Sequence, residues 1–144
     1  MLNILTDASF WIALVDPRDQ YHNQAKIFAE EIYKSKIKVL IPWPVLYEIF
    51  RTRFVKNKRN KEIINRLFKK LSPLYIEYID DKEYRELALQ EILKGKRALS
   101  LVDKIIHCIL YDKNLPIHIL VTADIRDFQD ICSQLNIKIW PLQE

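Results

Sequence analysis

The run Leu2-Asn3-Ile4-Leu5-Thr6-Asp7-Ala8-Ser9-Phe10-Trp11-Ile12-Ala13-Leu14-Val15 decides how the rest of the chain is read. Its opening, 2–5, is apolar apart from Asn3, which suits a strand covered on both faces better than strict alternation would. An acid, Asp7, follows at once, and 8–15 then reads as a short helix. Similar apolar runs occur at 37–41, 74–79, 117–121 and 137–140, interrupted by Lys38, Glu77, His118 and Lys138. Runs that carry Lys or Glu are expected nearer a sheet edge. Between them lie segments of helical period at 20–35, 44–56, 61–71, 81–93, 101–111 and 125–135. Pro44 stands in a first helical turn, where its missing N–H costs nothing, and Gly95 stands just past 81–93 as a stop. Helical crossovers favour parallel strands with right-handed connections. The expectation is one doubly wound α/β domain over 1–144, a sandwich of helices about a five-stranded sheet.

Composition narrows the chemistry. The 144 residues are 49% hydrophobic and 29% charged, enough apolar material for a core and too little length for two ordinary domains. A single glycine excludes the glycine-rich phosphate cradles of dinucleotide and P-loop folds. Cys108 and Cys132 cannot make a disulfide framework or a four-thiolate zinc site, and read as reduced, partly buried thiols. No apolar run approaches the roughly 20 residues needed to cross a bilayer. The amino terminus lacks a signal peptide's basic lead, so a soluble, cytoplasmic chain without membrane contact is expected. Net charge is +4, but residues 51–70 hold nine cations against Glu62 alone, a net +8 that leaves −4 for the remainder. A basic segment on an acidic body is the feature to explain.

In a doubly wound sheet the active crevice lies beyond the carboxyl ends of the strands. Asp7 follows the first strand directly, and Asp124 follows the fourth, with Asp127 three residues later. Asp103 sits in the first turn of 101–111, and Glu48 lies within Val45-Leu46-Tyr47-Glu48-Ile49-Phe50. Asp7, Asp103 and Asp124 each also suit helix capping, Ser100-Leu101-Val102-Asp103 having the form of a capping box. Glu48 suits capping least, its neighbours being apolar, although an i,i+3 pair with Arg51 is open to it. Taken together, carboxylates converging on one crevice raise one another's pKa or require a cation. Oxygen-only ligands suit Mg2+ or Mn2+, which also bind substrate phosphate. An acidic pocket beside a basic rim is the layout of metal-assisted phosphodiester hydrolysis.

These residues resemble a PIN domain, and within it the VapC-like ribonucleases of toxin–antitoxin pairs. The resemblance rests on Thr6-Asp7-Ala8-Ser9 with the apolar 10–15 after it, Glu48 in its apolar helix, Ser100-Leu101-Val102-Asp103, and Thr122-Ala123-Asp124-Ile125-Arg126-Asp127-Phe128. It runs from Leu2 to Trp140. It implies a three-layer α/β/α sandwich with a parallel sheet of order 3-2-1-4-5, divalent-metal dependence and endonucleolytic cleavage of RNA. Position by position, it makes Asp7, Glu48, Asp103 and Asp124 the catalytic and metal-binding acids. Ser9 and Thr122 become supporting hydroxyls, and Asp127 an additional acid. It further implies a homodimer and an antitoxin protein as partner. The bulky Pro42-Trp43-Pro44, together with His107 and Cys108 where small residues are common, departs from the family pattern.

Other features keep their own readings. Arg51, Arg53, Lys58 and Arg59 are the expected RNA-contacting cations, and a solvated helical hairpin is the plainer account of the same segment. Trp43, Tyr47, Phe50 and Phe54 make that region aromatic enough to bury surface against a partner. His118 is expected to pack within or at the edge of strand four, His107 to be structural, and His22 to serve the start of helix two. Two alternatives stand beside the nuclease: a PIN-like module that binds RNA or protein without cutting, and a receiver-type phosphoacceptor. The second has acids at Asp80-Asp81 but carries Trp140-Pro141-Leu142 where a lysine is wanted. A haloacid-dehalogenase-type phosphatase would need a second acid at Ser9.

Overall fold

A computed structural model describes residues 2–35, 37–71, 75–95 and 97–141. Five strands, β1 (Asn3–Thr6), β2 (Lys38–Pro42), β3 (Ile76–Ile79), β4 (Ile119–Thr122) and β5 (Lys138–Pro141), form one sheet. The order is β3-β2-β1-β4-β5 and every pairing is parallel. The helices are α1 (Ala8–Val15), α2 (His22–Ser35), α3 (Trp43–Ile49), α4 (Thr52–Val55), α5 (Lys58–Leu71), α6 (Lys82–Lys94), α7 (Leu101–Tyr111) and α8 (Ile125–Leu135). One layer is built where α1 packs on α2, α3 and α5, and the other where α7 packs on α6 and α8. This is the expected three-layer α/β/α sandwich. No helix among the described residues is long and apolar enough to cross a membrane.

The central strands are buried because helices cover both faces. Ile4, Leu5, Val39, Leu40, Ile41, Leu120 and Val121 have no exposed surface. On β3, at the edge, Glu77 and Tyr78 face outward, and Glu77 pairs with Lys38 at 2.5 Å. Trp11 is fully buried, and its indole N–H donates to Thr6 Oγ1 at 2.9 Å while Thr6 donates to the Leu40 carbonyl. The first helix is thereby tied to the strand before it, and the strand to its neighbour. Cys108 and Cys132 are both free and buried.

Several boundaries differ from expectation. β1 and β4 each run to their threonine, so His118 lies before β4, where it is exposed and its Nδ1 accepts the Asn3 N–H at 3.0 Å. The helix expected over 44–56 is two: the chain extends at Arg51 (φ −70, ψ 164) and restarts at Thr52. A continuous helix would carry the face of Val45 and Ile49 on to Arg53 and Lys56, whereas the break turns Phe54 into the core. α5 starts three residues earlier than expected, because the Asn57 side chain accepts the Asn60 N–H. Gly95 does close α6, but through close approach: its φ is −79, and a Cβ would stand 2.8 Å from the Glu91 carbonyl oxygen. The left-handed residue is Asn136 (φ 59), which ends α8 with Ile137 N–H returning to the Cys132 carbonyl. Leu74, expected in the third strand, and Leu142 lie outside the described residues.

Candidate active site

The strand order reverses between β1 and β4, and the crevice at their carboxyl ends is the switch point of the sheet. Asp7 leaves β1 and caps α1, its Oδ1 accepting the Ser9 N–H at 3.0 Å. The same oxygen accepts from the Ser9 hydroxyl and Oδ2 accepts from the Thr122 hydroxyl, both at short range. Each hydroxyl then accepts from the turn after β4: Ser9 from the Ala123 N–H at 3.0 Å, Thr122 from the Asp124 N–H at 2.9 Å. Two parallel clamps thus join the ends of the central strands through one buried carboxylate. Burial pushes the Asp7 carboxyl above its usual range, against the lowering effect of these hydroxyls and the Phe10 and Ser9 N–H groups.

Asp103, Asp124 and Asp127 offer carboxylate oxygens that all lie within 4.8 Å of one another. Asp103 is held at the start of α7, where Ser100 Oγ accepts its backbone N–H at 3.1 Å. The capping reading of that stretch therefore applies to Ser100, whose hydroxyl also bonds the Asp103 carboxyl and acts to lower its pKa. Asp124 occupies the N-cap position of α8 with no side-chain capping bond, which leaves its carboxyl to Asp127 and the crevice. Asp103 is pushed up to about 6 by desolvation and then by the charge of Asp7. Asp124 also reaches about 6, through desolvation and then a hydrogen bond with the Asp127 carboxyl and that group's charge. Asp127, expected as an extra acid, thus stands within the tightest group.

Glu48 joins from the opposite side. It is exposed, unlike the apolar Val45, Leu46 and Ile49 of the same helix. Partial desolvation raises it first, then the charges of Asp103 and Asp7, with Arg51 acting the other way. All five acids therefore belong to one electrostatic neighbourhood. Oxygen-only donors at this spacing fit a hard divalent cation with part of its water shell.

One cation of this site carries no sequence signal. Arg97, in the loop before α7, donates to the Arg126 carbonyl at 2.9 Å and stands 3.6 Å from Asp127 Oδ1. It steadies the start of α8 and leaves Asp103 and Asp124 unpaired by it. His107 has the structural place expected of it, with Nε2 at 2.9 Å from the Asp127 carbonyl and its ring against Phe128. His22 similarly bonds the Ala13 carbonyl through Nδ1 at 2.7 Å.

Of the expected RNA-contacting cations, Arg51 is close enough to act on Glu48, and Arg51, Arg53 and Arg59 line other clefts than the group of Asp103, Asp124 and Asp127. Arg51 and Arg53 line a polar cleft with Arg18, Asn57 and Asn60, and Arg59 lines an adjoining one. Lys58 lies 4.0 Å from Glu62, one helical turn on.

No protein-family model matches the sequence, and no curated protein does. Solved structures do. VapC20 of Mycobacterium tuberculosis, described as a sarcin–ricin loop cleaving toxin, matches at TM-score 0.60 and 22% identity over 81% of this chain and 86% of its own. DNA-bound VapBC from Salmonella typhimurium matches at TM-score 0.64 and 15% identity, over 99% of this chain and 100% of that one. This chain has the VapC-like PIN fold. A third VapC-like match is VapBC2 from Rickettsia felis bound to a promoter DNA fragment, at TM-score 0.59, 19% identity, and 97% and 98% coverage. The sheet order that defines the PIN fold here is also what brings Asp7 beside Asp124.

The gathered acids have a measurable consequence. Asp103 and Asp124 are raised from 3.8 to about 6 in the folded chain, so between those values it binds more protons than the unfolded chain. Metal-free stability is therefore expected to fall as pH rises from about 4 to about 7, by roughly 1–2 kcal/mol once solvent screening is allowed for. Melts in EDTA at pH 5 and 7.5 read this, and added Mg2+ should restore the loss at pH 7.5. Equal melting temperatures in EDTA would mean that neither burial nor neighbouring charge raises these acids.

Proposed function

We propose that this chain is a Mg2+- or Mn2+-dependent endoribonuclease, the toxin of a toxin–antitoxin pair acting in the cytoplasm. The observation that carries this reading is the close group of Asp103, Asp124 and Asp127 beside buried Asp7, at the switch point of a VapC-like sheet. That VapC20 is a sarcin–ricin loop cleaving toxin supports the reaction class, and the two VapBC complexes support an antitoxin partner. A homodimer is part of the same proposal.

Asp103, Asp124 and Asp127 would hold the cation, with Asp7 contributing directly or through water. When bound, such a cation lowers the pKa of a water and neutralises charge on the scissile phosphate. The protein's part is positional. Ser9 and Thr122 hold Asp7 fixed, Ser100 and Arg97 hold the backbones that carry Asp103 and Asp127, and Glu48 orients the attacking water from the facing helix. No side-chain nucleophile is required. Purified protein should cut RNA with Mg2+ or Mn2+ and stop in EDTA, and sequencing the ends produced in total RNA after brief expression identifies the target. Absence of cutting with either metal would refute the reading.

Arg51, Arg53, Lys58 and Arg59 would bind RNA phosphates outside the crevice. Charge reversal at Lys58 and Arg59 is expected to raise KM and to lower the slope of log affinity against log salt by about one per lost contact. An unchanged slope would return this segment to a solvated hairpin.

A further inference from the structure

A cavity of about 350 Å3 opens beside Glu48, between α3, the start of α6 and α7. Pro44, Tyr47, Leu101 and Val102 wall it, and Asp81 and Arg85 complete the lining. Its volume is at the lower end for small-ligand pockets, suited to one nucleotide unit and too small for a helix. Glu48 lines this cavity, and so do Leu101 and Val102, which directly precede Asp103 in the first turn of α7, so an occupant sits next to the acids. Tyr47 is 70% exposed and Leu101 42%, large apolar groups held in solvent at the margin of a charged crevice. The lining is nonetheless not wholly apolar. The Asp81 carboxylate, 15% exposed, stands 3.8 Å from the Arg85 guanidinium, which places an acceptor and a fork of donors on the same wall. Apolar faces with a polar edge are the complement of a nucleobase, which proteins take from single strands by stacking and edge bonding.

We propose that this cavity seats the base of the RNA nucleotide adjoining the scissile phosphate, stacked on Tyr47 and read at its edge by Asp81 and Arg85. The proposal rests on the ribonuclease reading, and it is tested by binding rather than by cutting. Fluorescence anisotropy in EDTA would compare the four homohexaribonucleotides with an abasic hexamer of the same phosphate count. Wild type should bind at least one base-bearing hexamer ~10-fold more tightly than the abasic one. Tyr47→Ala should lose that difference while keeping its affinity for the abasic hexamer, and Arg85→Ala should reorder the four bases. Both side chains are exposed, and thermal melts check that the fold is intact. No base preference in wild type, or one that survives Tyr47→Ala, overturns the assignment. So does an altered sedimentation coefficient of Tyr47→Ala with base preference unchanged, which would give the cavity to a second copy of the chain. Base-selective binding that depends on Tyr47, followed by no cutting when Mg2+ or Mn2+ is added, would support the base pocket and refute the ribonuclease reading alone.

Discussion

Asp103→Asn is expected to slow RNA cleavage by about 10²–10³-fold while leaving the metal-free chain at least as stable as wild type at pH 7.5. The two halves of that result have separate causes. Asparagine keeps the shape of the side chain and the backbone N–H that Ser100 Oγ accepts, so the start of α7 is undisturbed. It removes one hard anionic oxygen from a group of three within 4.8 Å, and with it part of the hold on a divalent cation. It also removes a charge that Asp7 and partial burial disfavour enough to push the acid to about 6. Cleavage rates and urea melts in EDTA measure both. A variant that cuts as fast as wild type would remove Asp103 from the chemistry, and one that unfolds would make it structural.

Thr122→Val is expected to cost about 2–3 kcal/mol of stability, read by chemical denaturation. The substitution preserves shape and deletes one hydroxyl that serves two partners. Asp7 Oδ2 loses its donor inside the protein, and the Asp124 N–H loses its acceptor. An anionic oxygen left buried without a donor is among the more expensive defects of a core. Its pKa, already raised by burial, should rise further, so the loss is greatest above neutral pH. Thr122→Ser keeps the hydroxyl and should recover most of the stability. Ser9→Ala should cost less, because Asp7 Oδ1 retains the Ser9 N–H. If valine at this position is tolerated without loss, the clamp does not hold the strands together.

The acids at strand ends were legible because strand and acid adjoin in sequence, as in Leu5-Thr6-Asp7 and Val121-Thr122-Ala123-Asp124. Glu48 was legible through its apolar surroundings, although the reason differs: its helix is amphipathic and presents Tyr47 and Glu48 outward. The double role of Ser9 and Thr122 was not legible, since Ser9 accepts from an N–H 114 residues away and Thr122 donates to a carboxylate 115 residues away. Asp127 read as a helper because spacing along a helix does not say how far the next loop folds back. Arg97 had no signal: at the end of the basic stretch Lys94-Gly95-Lys96-Arg97, it becomes part of the site only when α7 and α8 pack together. The break at Arg51 could have been read from Arg53 and Lys56 falling on the core side of a continuous helix. The other boundary shifts are of one to three residues and follow local capping by Asn57 and pairing of the strand-end threonines.

The double clamp also sets the order in which the crevice is completed. Asp7 is made before Thr122 and Asp124, which fix and complement it. A growing polypeptide therefore carries Asp7 without its Thr122 clamp until the fourth strand has emerged and slotted beside the first. Under the ribonuclease reading, chains truncated by premature stops before that strand would be harmless to the cell that made them, since no fragment contains both halves of the crevice.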